Sequence, residues 1–269
     1  MSPISSSSPL AAGRMAEIYP WDGGRVIKLF RNDWPEAAQH ELRIARMAYE
    51  QGAVTPQAFE IVRENGRPGI VYERVPGISL LRTLGRRPWL VFRLARQFAG
   101  LHHTVHRCRA PDLPPARPAL AQAIQNRDEL SAATKASLRK LLDTLPDGDA
   151  LLHGDFHPDN VMVTPQKMLI VDWPNAAQGC PLADVARTTV IFRVGEPPAP
   201  PPHLRVLLRT FSGLFRSTYL RAYFAQSCYP FADLAPWEAV LAAHRLVDNI
   251  PGEAERLVRF IRARLSTIQ

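Results

Sequence analysis

The sequence predicts an α+β fold: a small N-terminal antiparallel β-sheet carrying one helix, followed by a larger, mainly helical C-terminal lobe. Three observations carry that expectation. Short apolar runs before residue 72 are separated by Asp22-Gly23-Gly24 and Asn65-Gly66, the punctuation of hairpins. One amphipathic stretch, Pro35 to Gln51, interrupts them, with apolar side chains recurring at helical spacing. Beyond Val75-Pro76-Gly77 the helical pattern dominates. The joint therefore falls near residues 72–77 and divides one two-lobed domain into residues 1–75 and 76–269.

Taken in order, Met15–Tyr19 and Val26–Phe30 read as strands either side of the first glycine turn. After the helix, Ala58–Arg63 and Gly69–Tyr72 form a second hairpin around Asn65-Gly66. Helices are expected over Ser79–Leu84, Pro88–His106, Pro118–Leu145, Pro202–Gln226 and Pro236–Leu265, and strand character returns only between Ala150 and Trp173. The proline-rich run from Glu196 to Pro202 reads as a stiff surface loop.

Composition narrows the function classes. With 46% hydrophobic and 22% charged residues the chain can bury a core, which excludes general disorder. No apolar run approaches the roughly 18 residues of a membrane span, and Met1–Leu10 is a Ser/Pro stretch without a basic start or an apolar centre. Neither secretion nor membrane insertion is expected. Cys108, Cys180 and Cys228 form no Cys-x-x-Cys pair, so a reducing cytoplasm fits. The net charge of +8 invites a nucleic-acid reading, but the arginines are dispersed rather than clustered among aromatics, and no nucleic-acid partner is expected. Lysines occur only at 28, 135, 140 and 167. Lys28 thus stands alone in the first 134 residues, inside the apolar run Arg25-Val26-Ile27-Lys28-Leu29-Phe30, where a charge requires a reason.

The most informative segment runs from Leu151 through His153-Gly154-Asp155-Phe156-His157-Pro158-Asp159-Asn160 to Val171-Asp172-Trp173. Two apolar triplets flank the turn Thr164-Pro165-Gln166-Lys167. If Val163 faces Met168, then Val161 faces Ile170, and Asn160 and Asp172 share the open end of a hairpin. Asp155 lies five positions before Asn160, which brings a third oxygen-bearing side chain into reach. Such hard oxygen ligands suit Mg²⁺, which is held by few protein groups plus substrate phosphates. Taken singly, each of these residues also serves as a turn former.

The run His153-Gly-Asp-Phe-His-Pro-Asp-Asn160 with Val171-Asp172-Trp173, Gly179-x-Pro181 and Asp184-Val-Ala-Arg187 resembles the aminoglycoside phosphotransferase/choline kinase family, relatives of the protein kinases. The resemblance implies a protein-kinase-like fold and transfer of the γ-phosphate of ATP or GTP, with Mg²⁺, to a hydroxyl of a small molecule. It implies Asp155 as the base that orients the hydroxyl, Asn160 and Asp172 as metal ligands, Asp184 as a buried support and His153 as a loop organiser. His157 would approach the phosphates. An upstream lysine that grips the nucleotide, and a helix glutamate that pairs with it, are implied as well. Lys28 is the lysine. Glu41 is the glutamate, because it falls beside the apolar stripe Ala38, Leu42, Ala45, Ala48 and Tyr49, whereas Glu36 and Glu50 point away. Backbone groups near Tyr72–Val75 would hold the base. The loop Gly13–Glu17 is glycine-poor, Pro174 stands where the family often has an acid, and Cys180 where it often has Asp.

Two other functions compete. His153, Asp155 and His157 could ligate one divalent ion in a hydrolase, and a kinase relative could bind nucleotide without catalysis. Glu41 could also serve only as a stabilising partner of Lys28. The acceptor region, Ala186 to Gln269, holds eleven arginines, no lysine and six acids. That surplus of positive charge argues against a polycationic acceptor and for a neutral or singly charged one. A monomer or homodimer is expected.

Overall fold

The structure, a computed structural model, describes residues 8–195 and 202–268. In chain order the elements are β1 (Ala11–Ala12), β2 (Ala16–Trp21), β3 (Arg25–Phe30), α1 (Pro35–Glu50), β4 (Ala58–Glu64), β5 (Arg67–Glu73), β6 (Ile78–Ser79), α2 (Leu80–Arg86), α3 (Val91–His106), α4 (Ala116–Gln125), α5 (Ala132–Thr144), β7 (Ala150–Leu152), β8 (Val161–Val163), β9 (Met168–Ile170), β10 (Ala177–Gly179), α6 (Pro181–Val194), α7 (Pro202–Phe224), α8 (Leu234–Arg245) and α9 (Ala254–Ile268). They form two compact units. One takes the chain up to Thr83 together with Pro158–Asn175; the other takes Leu84–His157 and the chain from Ala176 onward.

The first unit is built on a five-stranded antiparallel sheet in the order β1-β2-β3-β5-β4. Ile27 and Leu29 of β3 are fully buried on one face, packed by Tyr19, Trp21 and Val62. By strand alternation Lys28 belongs to the opposite face. There its Nζ meets Glu41 of α1. Asn65 and Gly66 both take positive φ, 52° and 76°, as a two-residue β4–β5 hairpin loop requires. Gly69 opposite Leu29 is also dictated locally, since a Cβ there would lie 2.5 Å from Ile27 Cδ1. A second sheet, β6-β8-β9, completes the unit, with Val163 opposite Met168 and Val161 opposite Ile170 as the sequence implied.

The second unit is mainly helical: α3 packs on α7, and α8 packs on both α6 and α9. A two-stranded ladder joins β7 to β10. Phe98, Phe156, Phe215 and Tyr219 form its aromatic centre, Phe98 and Phe156 stacking at 4.2 Å between centroids. Because Phe156 belongs to the motif segment, burying it anchors that loop to the helices.

Two expected helices are each broken. Pro118–Leu145 divides into α4 and α5 because Ser131 caps a new helix, its Oγ accepting from the Thr134 amide at 3.2 Å. Pro236–Leu265 divides into α8 and α9 because Asn249 and Gly252 adopt φ of 48° and 78°, a left-handed stop that flanks Pro251. Tyr49, expected on the buried stripe of α1, is 44% exposed. The buried set is Ala38, Glu41, Ile44, Ala45 and Ala48, an arc centred on Glu41, and at 3.6 residues per turn Tyr49 lies roughly 80° from that centre. The strands β1, β6 and β10, of two or three residues each, were not expected. The proline-rich run from Glu196 lies outside the described residues apart from Pro202.

Candidate active site

In the first unit the sheet and α1 assemble an ion network around Lys28. Its Nζ donates to both carboxylate oxygens of Glu41, at 2.6 and 2.8 Å, and to Asp172 Oδ1 at 2.6 Å. The Tyr72 hydroxyl, on neighbouring β5, donates to Glu41 Oε1 at 3.1 Å. Burial opposes the lysine charge, but Glu41 and then Asp172 outweigh it, so the Lys28 pKa is raised. Glu41 is 2% exposed, a burial tolerable for a carboxylate because three hydrogen bonds satisfy it. Glu36 and Glu50 are exposed.

The hairpin supplies Asn160 and Asp172. Asn160 closes the 3₁₀ turn Pro158–Asn160, is 8% exposed, and accepts the Val171 amide at its carbonyl, 2.9 Å away. The next residue, Asp172, takes φ of 69°. A non-glycine residue in that region is held there by its surroundings. Here Val171 is tied to Asn160, and the buried Trp173 indole donates to Thr55 Oγ1 at 3.0 Å. The Asp172 side chain, 44% exposed, stays accessible while touching Lys28.

In the second unit the motif loop is clamped from α6. Asp184 is fully buried, and its two oxygens accept the backbone amides of His153, at 2.6 Å, and Gly154, at 2.9 Å. Gly154 has φ of 76°, which glycine adopts without strain. The Asp155 amide then donates to His153 Nδ1 at 3.2 Å. Asp184 also meets His102 Nε2 at 3.1 Å and His106 Nε2 at 3.4 Å, while the far nitrogens of those rings meet Tyr219 and Tyr223 hydroxyls at 2.8 and 2.7 Å. Burial would raise the Asp184 carboxyl, yet the two histidines hold it well below the carboxylate range. His102, His106 and Asp184 are the one His/Cys/Asp/Glu trio among the described residues whose ligand atoms converge, within 4.8 Å. Every one of those atoms already has a hydrogen-bond partner, which makes the trio a loop support. His153, Asp155 and His157, weighed above as a metal set, do not converge in this way: His153 is fully buried with its Nδ1 turned onto the Asp155 amide. His157 Nε2 lies 3.4 Å from Asp155 Oδ2.

A family model described as the phosphotransferase enzyme family matches residues 14–237. The chain belongs to this family. The phosphotransferase also shares its fold with solved structures. A thermostable mutant of aminoglycoside phosphotransferase APH(4)-Ia, in apo form, aligns with a TM-score of 0.64 at 16% identity, over 97% of this chain and 94% of that one. A choline/ethanolamine kinase family protein from Mesorhizobium loti gives 0.62 at 18% identity, over 98% and 89%. The streptomycin–ATP ternary complex of APH(2")-IIa gives 0.59 at 14%, over 96% and 90%. No curated protein sequence matches. Among the described residues no helix is long and apolar enough to cross a membrane.

Around Asp155 the phosphotransferase places Arg187 of α6, 3% exposed, with Nη2 at 3.7 Å. Burial raises the Asp155 carboxyl, but His157, then Arg187 and His153, bring it down to about 2. Sequence reasoning missed the side-chain partners Tyr72, His102, His106 and Tyr219, and it quoted Arg187 only as part of a motif. The i, i+4 spacing of His102 and His106 on the apolar α3 was the one available signal.

The buried His102 ring has a consequence for acid stability. Burial and the neighbouring His106 lower its pKa to about 3, against 6.5 ordinarily. The folded protein therefore keeps it neutral, whereas the unfolded chain binds a proton as pH drops through 6.5. The contribution is whole above that value and falls with pH, by about 2 kcal/mol between pH 7.5 and 5. His244, lowered to about 4 by burial and Arg187, acts with the same sign. Urea unfolding at the two pH values is expected to show this loss, and His102→Gln to flatten the dependence. An unchanged pH slope in the variant contradicts the assignment.

Proposed function

We propose that this phosphotransferase moves the γ-phosphate of ATP, or GTP, to a hydroxyl of a small molecule in the cytoplasm, using Mg²⁺. The observation that carries the reading is the Lys28–Glu41–Asp172 network: a half-buried lysine whose charge is fixed by one buried acid on a helix and a second acid that stays exposed. Lys28 binds nucleotide phosphates, and Glu41 with Tyr72 keeps its ammonium in place. Asn160 and Asp172, an amide and an accessible carboxylate, offer the hard oxygen set that magnesium takes. When bound, the ion neutralises charge on the phosphates. Asp155 accepts the hydrogen bond of the acceptor hydroxyl and takes its proton as the new phosphorus–oxygen bond forms and the bond to the departing ADP or GDP oxygen breaks. His157, implied above as a phosphate contact, lies 3.4 Å from Asp155 and in this mechanism steadies that carboxylate. In this reading residues 1–75 form the nucleotide-binding lobe, and residues 76–269 supply the base, the acceptor contacts and the metal ligands Asn160 and Asp172.

The acceptor in this reading carries no more than one positive charge. Of the five described acids after Ala186, three are held in close pairs with arginine: Glu238 to Arg193 and Arg264, Asp248 to Arg187 and Arg245, and Glu253 to Arg245. Carboxylates neutralised in this way are poor partners for a molecule bearing several ammonium groups. ADP release measured across sugars, nucleosides, macrolides, choline-like amines and kanamycin tests this. The expected result is a neutral or singly charged substrate with kcat/KM at least about tenfold above that of kanamycin, a margin of 1.4 kcal/mol in transition-state binding. Kanamycin as the best acceptor overturns it.

A further inference from the structure

One helix of the second unit holds both the backbone and the side chain of the motif loop. Asp184 and Arg187 lie one turn apart on α6 and share a face. Asp184 takes the His153 and Gly154 amides, and Arg187 faces the next residue, Asp155, at 3.7 Å. The guanidinium is out of solvent, and its Nε and Nη1 have no hydrogen-bond partner among the described residues. A buried arginine normally fills its donors, so the hydrogen bond it makes to Asp248 does not by itself account for this placement. Its position between two carboxylates does. Nη2 meets Asp248 Oδ2 at 2.5 Å, Asp248 also accepts from Arg245 Nη1 at 2.9 Å, and Arg245 Nε in turn meets Glu253 at 2.9 Å. Charges alternate from Asp155 through Arg187, Asp248 and Arg245 to Glu253, joining the motif loop to the end of α8 and the approach to α9.

We propose that Arg187 is a positioning residue for phosphoryl transfer: its buried guanidinium anchors the Asp155 carboxylate, and Asp248 fixes how far toward Asp155 it reaches. The proposal rests on Asp155 acting as the acceptor-side base. The groups facing Asp155 are His153 and His157 from its own loop, Arg187 from α6, and His244, Arg245 and Asp248 from α8 and the turn after it. An arginine keeps its charge throughout the folded range. Arg187 is thus the nearest permanent positive charge. Its removal releases the base and Asp248 together, so Asp155 gains a proton at higher pH.

The test titrates the Asp155 carboxyl carbon by NMR in the ¹³C-labelled full chain, the signal being assigned by its loss in Asp155→Asn. Arg187→Met is expected to raise the Asp155 midpoint by about 1 to 3 pH units, the range for losing an opposite charge at this distance. Arg187→Lys restores most of the shift, and Asp248→Asn leaves the midpoint at or below that of the wild type. The acid limb of kcat for the best acceptor moves with the midpoint. A purely structural network predicts instead that Arg187→Met and Asp248→Asn behave alike. An Asp155 midpoint unmoved in Arg187→Met, or raised equally in Asp248→Asn, overturns the proposal. If Arg187→Met does not fold, the sign in Asp248→Asn decides. The carboxyl titration needs no acceptor, so failure to find one counts against the functional reading and leaves this result standing.

Discussion

Asp155→Ala is expected to lower phosphoryl transfer by about 10²- to 10⁴-fold, the usual cost of losing a positioned base. The residue is suited to that loss. Its backbone amide is fixed on His153, its carboxylate lies beside His157 and Arg187, and its side chain retains 23% exposure through which an acceptor can reach it. The loop is held from Asp184 through the amides of the two preceding residues, so truncating Asp155 removes a side chain without releasing the support. The defect therefore belongs in kcat, read from initial rates at saturating acceptor. Asp155→Asn, which preserves shape, separates proton acceptance from packing and is expected to be nearly as damaged. A variant keeping more than about a tenth of the activity is incompatible with a base role.

Lys28→Met is expected to carry the second large effect, in two readouts. Nucleotide affinity falls because the phosphates lose their cation, and stability falls because Glu41 is left buried at 2% exposure without its countercharge. Removing one partner of a buried ion pair costs about 3–5 kcal/mol. Tyr72, 3.1 Å from Glu41 Oε1, recovers only part of this. Glu41→Gln is expected to give a milder loss of nucleotide affinity, since Asp172 still pairs Lys28 at 2.6 Å. Glu36→Gln and Glu50→Gln, on exposed faces of α1, leave both readouts unchanged. Nucleotide titration and urea unfolding of the four variants check the order. Greater damage from Glu36→Gln or Glu50→Gln than from Glu41→Gln reverses the assignment of the helix face.

Which of these features the sequence announces follows from how local each one is. Lys28 is legible because a charge inside an apolar strand is anomalous without reference to any partner. Glu41 is legible because helical periodicity places it, and the structure puts it at the centre of the buried arc, with Tyr49 turned out. The register of Val161–Ile170 follows from a four-residue turn between two triplets. Tyr72 with Glu41, His102 with Tyr219 and Arg187 with Asp248 meet across 31, 117 and 61 positions, and no periodicity links positions that far apart. The broken helices fall between these cases. Ser131 and Asn249-Ile250-Pro251-Gly252 are local stop and start signals masked by the apolar periodicity on either side. Strands of two or three residues contain too little alternation to announce themselves.

In the proposed mechanism Lys28, Asn160 and Asp172 hold the nucleotide, and Asp155 activates the acceptor. Calorimetric titration of Asp155→Ala with magnesium–ATP tests that division most directly, with wild type and Asp172→Asn alongside. Asp155→Ala is expected to bind within about threefold of wild type, a difference below 1 kcal/mol, while Asp172→Asn loses at least about tenfold. Nucleotide affinity lost in Asp155→Ala and kept in Asp172→Asn would contradict the mechanism.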